Sequence, residues 1–334
     1  IATRFLSLLP EGNRPDIGDG INTIGYSFAQ SDPENRREYT FRGDVNLNDR
    51  NSLSATYRYN RTEDARTDID TTFSPVALAV TNAPIKFFRM GWITSDGGNF
   101  SNELMGGLQD APAVFENRNL PNYPYLVGLT LITNPENTFR DQGRNTKFWT
   151  IKDNASYIWG NHILRFGGEY QKYSVLSFNE AGVGLPTYSI TTTANLNTPR
   201  LATTLFPGGI GATPRNTADA LRYLLGGVIG SGTMTANVTS QNSGYVAGAL
   251  QDRTLEYDTV GLYVSDQWKV RPNLTLNLGL RYERYSPLKA PNALYLEPVL
   301  GNDPLTALMS PTGQIDFVGR NAGKKGYFSK PDNN

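Results

Sequence analysis

The chain has 334 residues, 31 basic and 31 acidic side chains, no cysteine and a single histidine. Balanced charge argues against nucleic acid as a partner, since phosphate binding needs a basic footprint, and the lack of thiols excludes disulfides and thiolate metal sites. No run of 18 apolar residues can form a transmembrane helix, while 18 tyrosines and a mean hydropathy below zero suit strands that give lipid only every second side chain.

Residues 1–37 read as irregular, broken by Pro10, Gly12, Pro15, Gly18 and Gly20. The opening IATRFLSLLPEG carries no signal-peptide pattern and the closing SKPDNN is turn-like, so both ends read as cuts through a longer protein. From Glu38 a period of two begins: Tyr39, Phe41, Val45 and Leu47 alternate with Thr40, Arg42, Asp44 and Asn46. After a turn at 48–51, Leu53, Ala55, Tyr57 and Tyr59 alternate with Ser54, Thr56, Arg58 and Asn60, completing a hairpin. A weaker hairpin joins Phe88, Met90 and Trp92 to Leu104 and Leu108 through SDGGN. Prolines 112, 121, 124 and 135 make 110–142 read as a long loop.

The next hairpin is FWTIKDNASYIW, Gly160-Asn161-His162, ILRFGGEYQKY. A Thr-, Asn-, Gly- and Ala-rich stretch from 178 to 255 follows, and Thr217–Leu225 within it reads as two helical turns with Thr217 as N-cap. The clearest hairpin is YDTVGLYVSDQWKVRPNLTLNLGLRYERY, 257–285. Leu274, Leu276, Leu278, Leu280 and Tyr282 share one face, and Thr275, Asn277, Gly279, Arg281 and Glu283 the other. Ten residues at about 3.3 Å each, tilted by ~45°, rise roughly 24 Å, the height of the apolar band of an outer-membrane barrel. Short turns at 48–51, 160–162 and 271–273 alternate with long connections at 63–83, 110–142 and 178–255, the sorting such barrels use. The expected fold is all-β: about eight long antiparallel strands in hairpins, forming a segment of a transmembrane β-barrel.

The phrase GLYVSDQWKVRPNLTLNLGLRYE resembles a signature hairpin of TonB-dependent outer-membrane receptors, more narrowly of their Oar-like branch with its carboxypeptidase-regulatory-like domain. GRNTKFWTIKDNASYIWGNHILRFGGEYQ, NLNDRNSLSATYRYN and ADALRYLLGG are similar to further parts of that family, together covering roughly 38–60 and 143–286. The resemblance implies a barrel of about 22 strands, closed by a plug and powered through the TonB complex. Neither plug nor TonB box is visible, so 1–334 is expected to be a partial barrel whose partners are outer-membrane lipid, the rest of the receptor and the TonB complex.

Chemical motifs are weak beside this pattern. His162 sits in a tight turn with no carboxylate or cysteine near it in sequence and reads as a turn residue. Asp64, Asp68 and Asp70 lack calcium-loop spacing and its glycine. The GGIGA and GGVIGSG stretches lack the strand-then-helix setting of a phosphate loop. No cofactor, metal site or catalytic constellation is expected, and hence no enzyme. Arg42, Asp44, Arg58, Arg165, Glu169, Arg281 and Glu283 are candidate ligand-binding residues facing the lumen. Tyr57, Phe166, Val264, Leu276, Leu278 and Leu280 are expected to face the membrane, with Tyr157, Trp159 and Trp268 in an interfacial girdle. Asp266 falls on the apolar parity as an unpaired carboxylate near the turn. The alternatives are a self-contained small outer-membrane barrel (an adhesin or hydrolase) and a soluble carbohydrate-binding β-sandwich.

Overall fold

A computed structural model describes residues 2–17, 24–70, 72–120, 122–193, 199–318 and 332–333. Eight long strands follow the chain: β1 (Glu34–Asn48), β2 (Asn51–Ala65), β3 (Ala79–Ser95), β4 (Phe100–Asn117), β5 (Gln142–Trp159), β6 (His162–Asn179), β7 (Gln251–Arg271) and β8 (Leu274–Tyr285). Each pairs antiparallel with its neighbours in sequence, from β1 at one edge to β8, against whose end Asp332–Asn333 lies. The sheet is open: all fifteen residues of β1 are exposed. An 18-residue strand such as β4, tilted by ~45°, rises roughly 42 Å, well beyond the ~25 Å of an apolar membrane band.

The weak third hairpin is in fact a full pair of 17 and 18 residues. Pro112, read as part of a long loop, hid its end, and Pro84 stands in the other strand. The β3–β4 register pairs Asn82 with Val114 and Lys86 with Asp110, and the ladder is interrupted between. Pro84 therefore stands opposite Pro112, so two residues without N–H groups share one gap. Each still pairs on its other side, Pro84 with Arg61 and Pro112 with Asn145. The long connections accordingly shrink to 66–78, 118–141 and 180–250. At the opposite end the links are tight. Asn48 Oδ1 accepts from Arg50 N at 2.9 Å, and Asp96 Oδ1 accepts from Gly98 N and Phe100 N at 2.7 and 3.0 Å. These two bonds hold the Asp96 carboxyl below its usual pKa.

Both faces of the sheet are open. One is apolar, and the register carries its rows across strands: Phe41, Tyr57, Phe88, Leu108, Trp149 in one, Leu280, Val264, Phe166, Ala155 in another. Leu278 and Leu280 are 57% and 78% exposed, although apolar. The opposite face is charged and amide-rich.

What core exists lies in the long connections. Strands Leu126–Gly128, Thr187–Ile190 and Ile229–Thr233 form a small sheet, and Phe5, Val127, Ile190 and Leu224 pack together beside it. The helix runs over Ala212–Gly226 rather than 217–225 and starts at Gly211. Pro214 is harmless there, because first-turn N–H groups have no helical partner anyway. Thr217 is interior and donates its hydroxyl to Thr213 O at 3.3 Å. Gly227, at φ 64°, closes the helix in the left-handed region, with its N–H on Leu224 O. Ala2–Leu6, expected to be irregular, is a short helix that brings Phe5 into this cluster.

Candidate functional site

On the polar face, side chains of one strand lie two residues apart and pair along their own strand. Glu169, Gln171 and Tyr173 of β6 form a chain: Gln171 donates to Glu169, and Tyr173 OH donates to Gln171 Oε1 at 2.9 Å. In β8 Arg281 donates to Glu283, and Tyr285 OH donates to Glu283 Oε2 at 2.8 Å. Between them β7 offers Tyr257, Thr259 and Gly261, with Gly261 registered against both Glu169 and Glu283. Its missing side chain opens a hollow of about 210 Å³ into which Arg281 leans. The rings of Tyr173 and Tyr257 stack at 4.5 Å, with Phe148 4.7 Å from Tyr173. Charge, amide and aromatic faces thus surround one concavity.

A second glycine shapes the next row. Tyr263 of β7 lies across Gly167 to donate to Asn154 Oδ1 of β5 at 2.8 Å. A Cβ at Gly167 would meet Asp153 O at 2.3 Å and the Tyr263 ring at 2.8 Å. Arg165 lines a neighbouring hollow with Tyr263 and Glu103.

The seven charged candidates therefore do not form one cluster. Glu169, Arg281 and Glu283 share a hollow and Arg165 lies beside it. Arg42 pairs bidentately with Asp44, both bonds at 2.9 Å, and Arg58 with Glu38 at 2.9 Å, on β1 and β2 at the far edge. Sequence reading missed Gln171, Tyr173, Tyr257 and Tyr285 because it weighted charge. Their parity, shared with Glu169 and Glu283, was the available signal.

Two further corrections concern the turn end of the apolar face. His162 is not without a carboxylate: its Nδ1 donates to Asp266 Oδ2 at 2.7 Å. The partners are 104 residues apart, and the β6–β7 register, pairing Trp268 with His162, brings them together. Asp266 is thus paired, although its Oδ1 has no partner among the described residues. Trp159, His162 and Trp268 share a row, with His162 stacked on each at 5.9 and 5.3 Å. Tyr157 lies one row in, registered against Leu164.

In the connections, Asp70 accepts from the backbone of Thr72 and Leu78, and Asp68 pairs with Arg66 at 2.6 Å. Asp219 on the buried face of the helix accepts from Leu201 N at 2.7 Å and Arg200 Nε at 3.0 Å. The Leu201 N–H first, then Arg200, hold its carboxyl below the ordinary range.

An antiparallel sheet of long hairpins, apolar on an exposed face, polar on the other, with short turns at one end, defines an outer-membrane β-barrel protein. Over residues 1–334 the sequence matches the outer membrane beta barrel domain family, and the chain belongs to it. Its place is the bacterial outer membrane. No curated protein sequence matches it significantly. Among solved structures it is similar to the outer membrane transporter YddB from Escherichia coli, at 12% identity and TM-score 0.44 over 78% of this chain and 29% of that one. It is also similar to the ferric-catecholate import receptor Fiu from E. coli K12 in its open form, at 10% identity and TM-score 0.44 over 92% and 44%. A third is the siderophore receptor PiuA from Acinetobacter baumannii, at 11% identity and TM-score 0.39 over 77% and 36%. The chain spans less than half the length of each.

Proposed function

We propose that this chain is part of the barrel of a TonB-dependent outer-membrane receptor of the Oar-like branch, a ligand importer and not an enzyme. The carrying observation is the two-faced open sheet. Its apolar face, including Tyr57, Phe166, Val264, Leu276, Leu278 and Leu280, meets lipid, with Tyr157, Trp159 and Trp268 at the rim. Its polar face, from Arg42, Asp44 and Arg58 across to Arg165, Glu169, Arg281 and Glu283, lines the lumen. Exposed on both sides, such a sheet is unstable alone, because unpaired edges in lipid leave backbone donors unsatisfied. Further strands of the same receptor close it, and a plug domain covers the polar face. The organised connections, built on the Phe5–Val127–Ile190–Leu224 cluster, form the mouth where the ligand is captured.

The test is site-directed crosslinking in the intact receptor. A photoreactive residue in place of Glu283 is expected to capture another domain of the same polypeptide, and one in place of Leu280 to capture lipid only. Failure of the Glu283 probe to capture any protein segment would favour a small barrel with a water- or side-chain-filled interior.

A further inference from the structure

Several of the charges that share the parity of the apolar face are paired. Lys172 pairs with Glu256 at 3.2 Å, Arg61 with Glu63 at 3.2 Å, and Asp266 with His162 at 2.7 Å. Lys86 of β3 and Lys147 of β5 are not, nor are Arg37 and Arg284 on β1 and β8. Both lysines are exposed, and among the described residues neither side chain has an ion pair or hydrogen bond. They lie in one row, each registered against Asp110 of β4. No ion pair joins Asp110 to either, and its Oδ1 is itself unpartnered. Over β3–β5 the row holds two cations to one anion, and it continues through Ser174 to Glu256, which pairs with Lys172. All three strands are central, so the exposure does not come from an open edge.

Position gives this row a meaning. Each lysine stands two residues towards the long connections from an aromatic, Lys86 from Phe88 and Lys147 from Trp149. Lys86 lies nine residues from Ser95 at the turn end, which at ~3.3 Å per residue and ~45° of tilt is roughly 21 Å, the upper rim of a ~25 Å apolar band. Between the lysines and the aromatic row is a hollow of about 400 Å³ floored by Tyr57, Phe88, Leu108 and Trp149. An apolar floor open to the membrane beneath two unpaired ammonium groups matches an amphiphile with acyl chains below and a negative headgroup above. Long lysine stems reach such a headgroup while their methylenes stay on apolar surface.

We propose that Lys86 and Lys147 form a binding site for a phosphate-bearing lipid headgroup of the leaflet at the loop end. The site is separate from the lumen-facing surface and rests only on the apolar face meeting lipid. A lipid held there joins β3, β4 and β5 where the opposed prolines Pro84 and Pro112 interrupt the ladder.

The test uses the intact receptor in phosphatidylcholine vesicles doped with brominated phosphatidylglycerol or, separately, brominated phosphatidylcholine. The readout is quenching of Trp149, taken as the difference from a Trp149→Phe variant. The anionic lipid is expected to be enriched at Trp149, and Lys86→Gln with Lys147→Gln to remove roughly fivefold of that enrichment per lysine. Phosphatidylcholine quenching, unchanged in the double variant, shows that the barrel is intact. Equal quenching by the two lipids in the unmodified receptor overturns the proposal, as does enrichment that survives the double substitution. Loss of enrichment in inorganic phosphate, but not in sodium chloride of equal ionic strength, overturns the lipid assignment in favour of a free-anion site.

Discussion

Replacing Leu280 by arginine tests the apolar face where it is most exposed. Leu280 is 78% exposed, registered against Val264, which is registered against Phe166. It lies six residues from Leu274 at the turn, so at ~3.3 Å per residue and ~45° of tilt it stands roughly 14 Å above the turn end, near the middle of a ~25 Å band. Arginine on the lipid face costs about 2–4 kcal/mol at midplane and ~0–1 near the interface. Leu278 is a matched control only one step nearer the turn, registered directly against Asp266. Arginine at 278 gains that carboxylate and interfacial water, so Leu278→Arg should cost clearly less than Leu280→Arg. The assay is urea titration of the full-length barrel protein refolded into vesicles, with each variant compared with the unmodified protein. Equal costs at 278 and 280, or a Leu280→Arg variant within about 0.5 kcal/mol of the original, a range normal for neutral surface changes, would refute the assignment of this face to lipid.

Gly167→Val should impair assembly, because its Cβ would lie 2.3 Å from Asp153 O, an overpacking of about 1–3 kcal/mol or more. Tyr263→Phe, which loses only the bond to Asn154, should cost ~1 kcal/mol in the same urea titration. The depressed pKa of Asp219 means that its contribution is complete above its unfolded value of about 3.9 and is lost as pH falls through the folded value. Pepsin cleavage near 199–201, normalised to pepsin activity on an unfolded substrate, should therefore rise only as pH falls below about 4, whereas Asp219→Asn should already cleave readily at about pH 4.5, where the original resists. His162→Phe keeps the stack between Trp159 and Trp268 but strands Asp266, so it should destabilise the barrel. Adding Asp266→Asn should recover much of that loss in a double-mutant cycle.

Strand pairing was readable in the sequence wherever alternation ran unbroken into a short turn. At 257–285 every apolar residue of β8 declares its face, and the register follows from the turn at 271–273. The β3–β4 hairpin was obscured because proline is a local breaker only when its neighbour expects a hydrogen bond. That neighbour is another proline 28 residues away, which no local rule reveals. The helix start was misplaced for the same reason in reverse, since Pro214 falls where helices tolerate it. Partnerships across strands were illegible. His162 and Asp266 meet only once β6 and β7 are in register, and Tyr263 reaches Asn154 only because Gly167 is between them. The hollow around Gly261 is a gap left by a missing side chain, so it carries no motif. The charged candidate residues share a parity in the sequence, but nothing local tells which of them meet.

The most direct measurement is a nitroxide scan along β8, from Leu274 to Tyr285, in the full-length barrel protein in vesicles. Collision with oxygen, which concentrates in lipid, is compared with collision with a water-soluble nickel complex. Oxygen access should peak at 276, 278 and 280, and nickel access should be higher at 277, 279, 281 and 283 wherever the lumen is not sealed. The predicted result is an alternation of period two with the leucines on the lipid side. Equal access at all positions, or the opposite phase with the leucines sheltered from lipid, would contradict the two-faced barrel wall on which the account rests.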